Sequence, residues 1–130
     1  MSLDIRILST GDQIRHVALQ GRLDTHTYQA LDDRLAPLLA GATRSLVLDL
    51  AELEYISSAG IRSIFKARKA LSARGGKVVV VNPQPQIQKV FDLVKAVPLN
   101  EIFTSVAEAD AYLDAMQRKV VMGDDEDAQG

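Results

Sequence analysis

Leu46-Val47-Leu48-Asp49-Leu50 is an apolar run of strand length, and Tyr55-Ile56-Ser57-Ser58-Ala59-Gly60 follows it closely. After Gly60 the apolar positions become Ile61, Ile64, Phe65 and Leu71, which is the spacing of a helix. Ser57 and Ser58 therefore stand where a buried strand has ended and a helix is about to begin. The first turn of a helix carries unpaired N–H groups and a partial positive charge, so an anion there is stabilised. A hydroxyl at that point can cap the helix, attack as a nucleophile, or accept a phosphate.

Toward the N-terminus, Ile5 to Leu8 and Ile14 to Leu19 read as two short strands around a Thr10-Gly11-Asp12 turn, a hairpin. Gly21 to Thr27 reads as a polar loop. Tyr28, Leu31, Leu35, Leu38 and Leu39 recur at helical spacing; Pro37 within them predicts a kink or an early stop, and Gly41 ends the segment. Toward the C-terminus, the helix after Ser58 is expected to run to about Arg74, with Gly75-Gly76 as its cap and turn. Val78 to Val81 is a second apolar strand, closed by Asn82-Pro83. Ile87, Val90, Phe91 and Val94 mark a short helix that ends before Pro98. Ser105-Val106-Ala107-Glu108 has capping-box spacing and opens a last helix, buried through Ala109, Tyr112, Leu113 and Met116. The order β-β-α-β-α-β-α-α describes a single α/β domain, a mixed β-sheet of about four strands covered by about four helices.

The chain has 130 residues, enough for one domain with a core of its own. It has no cysteine, which excludes disulfides and thiol chemistry and removes the usual zinc ligands. The N-terminus lacks the basic segment and apolar run of a secretory signal, and no apolar run approaches a membrane span. A cytoplasmic protein is expected. The formal net charge is −2, from 15 basic and 17 acidic residues. Asp124, Asp125, Glu126 and Asp127 cluster at the end; setting these four aside leaves 13 acidic residues against 15 basic, a net of +2. Residues 1–120 are thus expected to form the domain and 121–130 an acidic, disordered tail. The body is too weakly basic and too poor in aromatic residues for a nucleic-acid surface.

Several chemistries fail on the residues present. Ser58-Ala59-Gly60 matches half of a nucleophile elbow, but Ile56 replaces its first glycine. The chain's two histidines, His16 and His26, both precede the serine, against the order of that fold, and neither has metal-ligand spacing. Asp49 at a strand end invites comparison with a phosphorylated aspartate, yet Ser9-Thr10-Gly11 offers no acidic pair for magnesium. Asp49 is expected to bond nearby backbone instead. Gly76-Lys77 lacks the rest of a phosphate-binding loop, and no Gly-x-Gly-x-x-Gly occurs. No enzyme, cofactor or metal site is expected.

Over roughly Asp4 to Lys119 the chain resembles the STAS domain family, and within it the bacterial anti-sigma factor antagonists. The resemblance rests on Gly21-Arg22-Leu23-Asp24, Val47-Leu48-Asp49-Leu50, the segment from Tyr55 to Arg62, and Ile102-Phe103-Thr104-Ser105-Val106-Ala107-Glu108-Ala109. It implies a partner switch. Unphosphorylated, such a protein binds an anti-sigma factor that is a serine kinase of the histidine-kinase ATPase fold; phosphorylated, it lets go, and a serine phosphatase resets it. The matching acceptor is Ser58, with Ser57 as the alternative. The familiar antagonists carry an acidic residue where this chain has Ser57. The partner-binding positions implied are Asp24, Thr25, Ser57, Ala59, Gly60, Arg62, Lys66 and Lys69. Plainer roles stand beside these: Ser58 as an ordinary helix cap, Ser57 as the cap or a neighbouring support, Asp24 as cap of the helix after it, Gly60 in local packing, and the basic residues as a solvated face. A protein that is monomeric alone, with neither nucleic acid nor membrane among its partners, is expected. A STAS module that is never phosphorylated, acting as a scaffold or small-ligand sensor, is the second reading.

Overall fold

Alternation builds the sheet. In β1 (Leu3–Ser9), Leu3, Ile5 and Ile7 turn inward while Asp4, Arg6 and Leu8 point out. β1 pairs antiparallel with β2 (Ile14–Leu23), Ser9 opposite Arg15, so the expected hairpin forms. β2 pairs parallel with β3 (Ser45–Ile56), and β3 parallel with β4 (Lys77–Val81). The sheet is therefore mixed and its strand order, β1-β2-β3-β4, is that of the chain. The computed structural model describes residues 2–9, 11, 13–97 and 103–123. Thr10 and Asp12 of the predicted turn, Pro98, Ile102 and the four clustered acids lie outside them.

Four helices occur among the described residues. α1 (Tyr28–Ala40) joins β2 to β3, and α2 (Ser58–Ser72) joins β3 to β4. α3 (Pro85–Ala96) follows β4, and α4 (Val106–Val121) comes last. Val17 and Leu19 of β2, Leu46, Leu48 and Leu50 of β3, and Leu31, Leu35, Ile64, Leu71, Ile87, Val90 and Leu113 of the helices form one buried cluster. The helices share one side of the sheet. On the other side, register sets Leu8, His16, Val47 and Val79 in a lateral row, and none of the four is buried.

Caps follow the sequence closely. α2 closes on Gly75-Gly76, where Gly76 N–H donates to Leu71 O (2.7 Å) and Gly75 N–H to Ser72 O (3.1 Å). At the start of α4, Ser105 Oγ accepts the Glu108 N–H (3.1 Å), and Glu108 reaches back to the Thr104 N–H (2.8 Å). Asp49 Oδ1 accepts the Ala51 N–H (3.0 Å), the local bond expected of it.

Five expectations need correction. Gly21 to Leu23 is strand, because a register shift and a positive φ of 110° at Gly21 absorb the irregularity without ending the pairing. β3 runs six residues past Leu50 to Ile56. There β4 has already stopped, so one side of β3 is unpaired, and buried Leu53 and Tyr55 alternate with exposed Glu52 and Glu54. α1 continues through Pro37 to Ala40, so the early stop does not occur; Pro37 and Asp33, whose carbonyl loses its helical N–H partner, are both exposed. Phe65 (39% exposed) and Tyr112 (46% exposed) lie outside the core. The third buried position of α4 is instead Gln117, in the row Ala109, Leu113, Gln117 at four-residue steps.

Gln117 is polar for a reason. Its Nε2 donates to Ile56 O (2.8 Å) and its Oε1 accepts the Ile56 N–H (3.0 Å), satisfying the unpaired side of β3's last residue. Gln117→Leu keeps the volume but strands two buried backbone groups, and is expected to cost about 2–4 kcal/mol. The check is urea unfolding, with a lower midpoint at an unchanged slope.

Candidate functional site

The start of α2 is fixed from three sides. Leu23 and Ile56 are partners in the parallel register, and Ser57 N–H donates to Leu23 O (2.9 Å). Ser57 is extended (φ −99°, ψ 176°) and its Oγ accepts the Gly60 N–H at 3.4 Å, so Ser57 is the helix cap. Gly60 packs so tightly that a Cβ there would lie 2.7 Å from Leu23 Cγ and 2.9 Å from Leu23 O. The chain itself takes up the close approach that glycine allows.

Ser58 is the first residue of α2 and only 5% exposed. Its N–H donates to Asp110 Oδ1 of α4 at 2.8 Å. Its Oγ is buried and has no hydrogen-bond partner among the described residues. With Ser57 serving as the cap, the Ser58 hydroxyl has no structural bond to lose.

A groove of about 790 Å³ opens beside Ser58. Ile61, Arg62 and Phe65 of α2, Val94 of α3, and Val106 and Ala109 of α4 are among its walls. Phe103 borders it and packs its ring on exposed Tyr112, centroids 5.3 Å apart. Two of its walls, Phe65 and Val106, are exposed apolar side chains.

The 24–27 loop leaves β2 next to the same junction. Thr27 Oγ1 accepts the Asp24 N–H (2.9 Å) and donates to Arg22 O (2.8 Å), while Asp24 Oδ1 accepts the His26 N–H (2.9 Å). Asp24 thus closes the loop, and the cap position of α1 is Thr27, not Asp24. Arg22 Nε lies 3.5 Å from Asp24 Oδ2, an ion-pair contact, and its guanidinium sits 4.1 Å above the Tyr55 ring. Burial, then the carboxylates of Asp114 and Asp110, push the Tyr55 phenol above its ordinary range, with Arg22 opposing.

The residues expected to meet a partner divide by exposure. Thr25, Arg62, Lys66 and Lys69 are exposed; Asp24, Ser57, Ser58, Ala59 and Gly60 are buried. Lys66 is drawn toward α1, its Nζ 3.4 Å from Asp32 Oδ2, whereas Arg62 borders the groove. Sequence reasoning missed Asp110 and Gln117, the two α4 residues that hold the β3–α2 junction. Their seven-residue spacing on one helix face was the available signal.

The STAS domain profile matches residues 7–109, and the chain belongs to the STAS domain family. It is 35% identical over 75 residues to a Bordetella bronchiseptica protein named as an anti-sigma factor antagonist, BtrV, covering 58% of this chain and 65% of that one. To the anti-sigma-B factor antagonist of Staphylococcus aureus it is 26% identical over 93 residues, 72% of this chain and 85% of that one. The fold is that of the Bacillus anti-sigma factor antagonist SpoIIAA. The unphosphorylated form gives a TM-score of 0.66 at 21% identity, over 73% of this chain and 84% of that one. The phosphorylated form gives 0.61 at 21% identity, over 69% and 82%. Among the described residues no helix is long and apolar enough to cross a membrane, and no three His, Cys, Asp or Glu side chains gather to hold a metal.

Two outcomes test this geometry. Thr27→Val removes a hydroxyl that both accepts and donates inside the loop, and is expected to cost about 1–3 kcal/mol in denaturant unfolding. Raising the pH above about 10 deprotonates Tyr55 in the unfolded chain before the folded one, so the stability its neutral phenol contributes is complete below that pH and lost above it. The fall in urea midpoint between about pH 9 and about pH 11 should be smaller in Tyr55→Phe.

Proposed function

We propose that this chain is an anti-sigma factor antagonist whose partner choice is set by phosphorylation of Ser58. Unphosphorylated, it binds an anti-sigma serine kinase of the histidine-kinase ATPase fold; the phosphorylated form is released, and a serine phosphatase restores it. The observation that carries the reading is the division of labour at the start of α2. Ser57 Oγ caps the helix, while Ser58 Oγ stands at the same N-terminus with no bond to give up. The same division favours Ser58 over Ser57 as acceptor, since modifying Ser57 would remove the cap.

The energetics suit a switch without a change of fold. A phosphate adds about −1.5 to −2 charges near neutral pH. At an interface with an acidic or apolar partner surface, a penalty of about 3 kcal/mol shifts affinity by roughly two tenfold steps, enough to exchange partners. The positions meeting the kinase would be Thr25 and Asp24 of the loop, the Ser57–Gly60 turn, and Arg62, Lys66 and Lys69. The apolar groove supports a second reading, a STAS module that senses a small ligand or assembles a complex and is never phosphorylated.

Phosphosite mapping by mass spectrometry on protein from its own host separates the two. Phosphate at Ser58, absent from Ser58→Ala, is the expected result; no phosphate under any growth condition favours the sensor reading. In binding assays with the kinase, Ser58→Ala should bind constitutively and Ser58→Asp at least about 100-fold more weakly. Equal binding by these variants and the natural chain would end the switch.

A further inference from the structure

An anion-binding position at a helix start is here already occupied by an anion of the same chain. Asp110 Oδ1 accepts the Ser58 N–H at 2.8 Å, in a partly buried setting. The adjacent Ser58 Oγ is buried without a partner, and Ser58 is among the residues that border the groove whose far wall is the start of α4. Within one serine the Oγ lies about 3 Å from its own backbone nitrogen. A phosphate on that oxygen would therefore sit within a few ångströms of the Asp110 carboxylate and compete for the same N–H group. Two anions at such a distance, in a partly buried setting, repel.

α4 is held to the β3–α2 junction at two polar points. Asp110 binds Ser58 near its N-terminal end, and Gln117 binds both backbone groups of Ile56 two turns later. Buried Leu113 lies between them. Losing the Asp110 bond leaves Leu113 and Gln117 in place, so the loosening is confined to the first turns of the helix. Those turns carry Val106 and Ala109, a wall of the groove.

We propose that Asp110 is an electrostatic latch that phosphorylation opens: phosphate on Ser58 takes the amide that Asp110 holds, and the N-terminal turns of α4 come loose while its C-terminal half stays docked. The proposal rests on the phosphorylation reading above and adds its structural consequence. Phosphoryl transfer from a nucleoside triphosphate forms the Oγ–P bond and breaks the bond from the γ-phosphorus to its bridging oxygen. The nucleoside diphosphate and the serine proton leave, and the charge stays beside Asp110. Besides adding charge, the switch then remodels the groove that a partner meets. Asp110 acts as a positioning residue throughout.

The test uses the full chain with phosphoserine installed at position 58 during synthesis, so no kinase is needed. Amide hydrogen exchange is followed along α4, with and without phosphate, in the natural sequence and in Asp110→Asn. The expected result is exchange about tenfold or more faster over residues 106–113 on phosphorylation, with residues 117–121 unchanged. In Asp110→Asn, phosphate should add little further acceleration, because the like charge is gone. Asp114→Asn, on the same helix but without a bond to Ser58, should leave the phosphate effect intact. Exchange over residues 106–113 that is unchanged by phosphate in the natural sequence overturns the latch, as does an undiminished phosphate effect in Asp110→Asn. Absence of phosphate in the native host would instead sink the switch and leave this coupling measurable.

Discussion

Ile56 is the last residue of β3, and both of its backbone polar groups are satisfied by one side chain, Gln117, from sixty-one residues away. β4 has ended seven residues earlier, at Val81 opposite Asp49, so among the described residues no strand serves that side of β3. A buried, unpaired peptide group costs more than an ordinary hydrogen bond gains. The junction that carries Ser57 and Ser58 therefore depends on α4 being docked. Leu23, paired with Ile56 on the other side and accepting the Ser57 N–H, fixes the same corner from β2. The serines are held rigidly because three elements converge on one peptide.

Electrostatics at that corner are unusually crowded for its size. The positive end of α2 meets Asp110, while Asp24 and Asp114 lie within the field of Tyr55; Arg22 pairs with Asp24 and Arg118 with Asp114. On the proposed latch, one more anion at this corner displaces a carboxylate, whereas at a bare helix N-terminus added negative charge is simply stabilised.

Much of this was legible in the sequence, and the reasons are local. Val47-Leu48-Asp49-Leu50, the valine run of β4 and the 3.6-residue periodicity of α1 to α3 express their burial directly, so element order and sheet type were readable. The caps at Ser105 and Gly75-Gly76 were readable because capping is short-range chemistry, and that of α2 was narrowed to Ser57 or Ser58. What failed was long-range. The extension of β3 to Ile56 depends on which neighbour strand has stopped, and the burial of Gln117 depends on a peptide far away in sequence. Tyr112 and Phe65 fit the helical pattern yet are exposed, Phe65 as a wall of the groove and Tyr112 against Phe103, because periodicity gives a face and not what covers it. The serine pair was found, but the burial of Ser58 beneath α4 was not.

Strand order that follows chain order has a consequence for synthesis on the ribosome. Each strand that emerges finds its neighbour already made, so pairing never waits for a distant segment and loop-closure entropy stays small. α4 is the exception: it follows every strand and alone supplies Asp110 and Gln117. Until it arrives, the Ile56 peptide and the Ser58 amide have only water as partners. The nascent chain therefore passes through an interval in which Ser58 is exposed as it is not in the finished fold, and docking of α4 is the step that ends it.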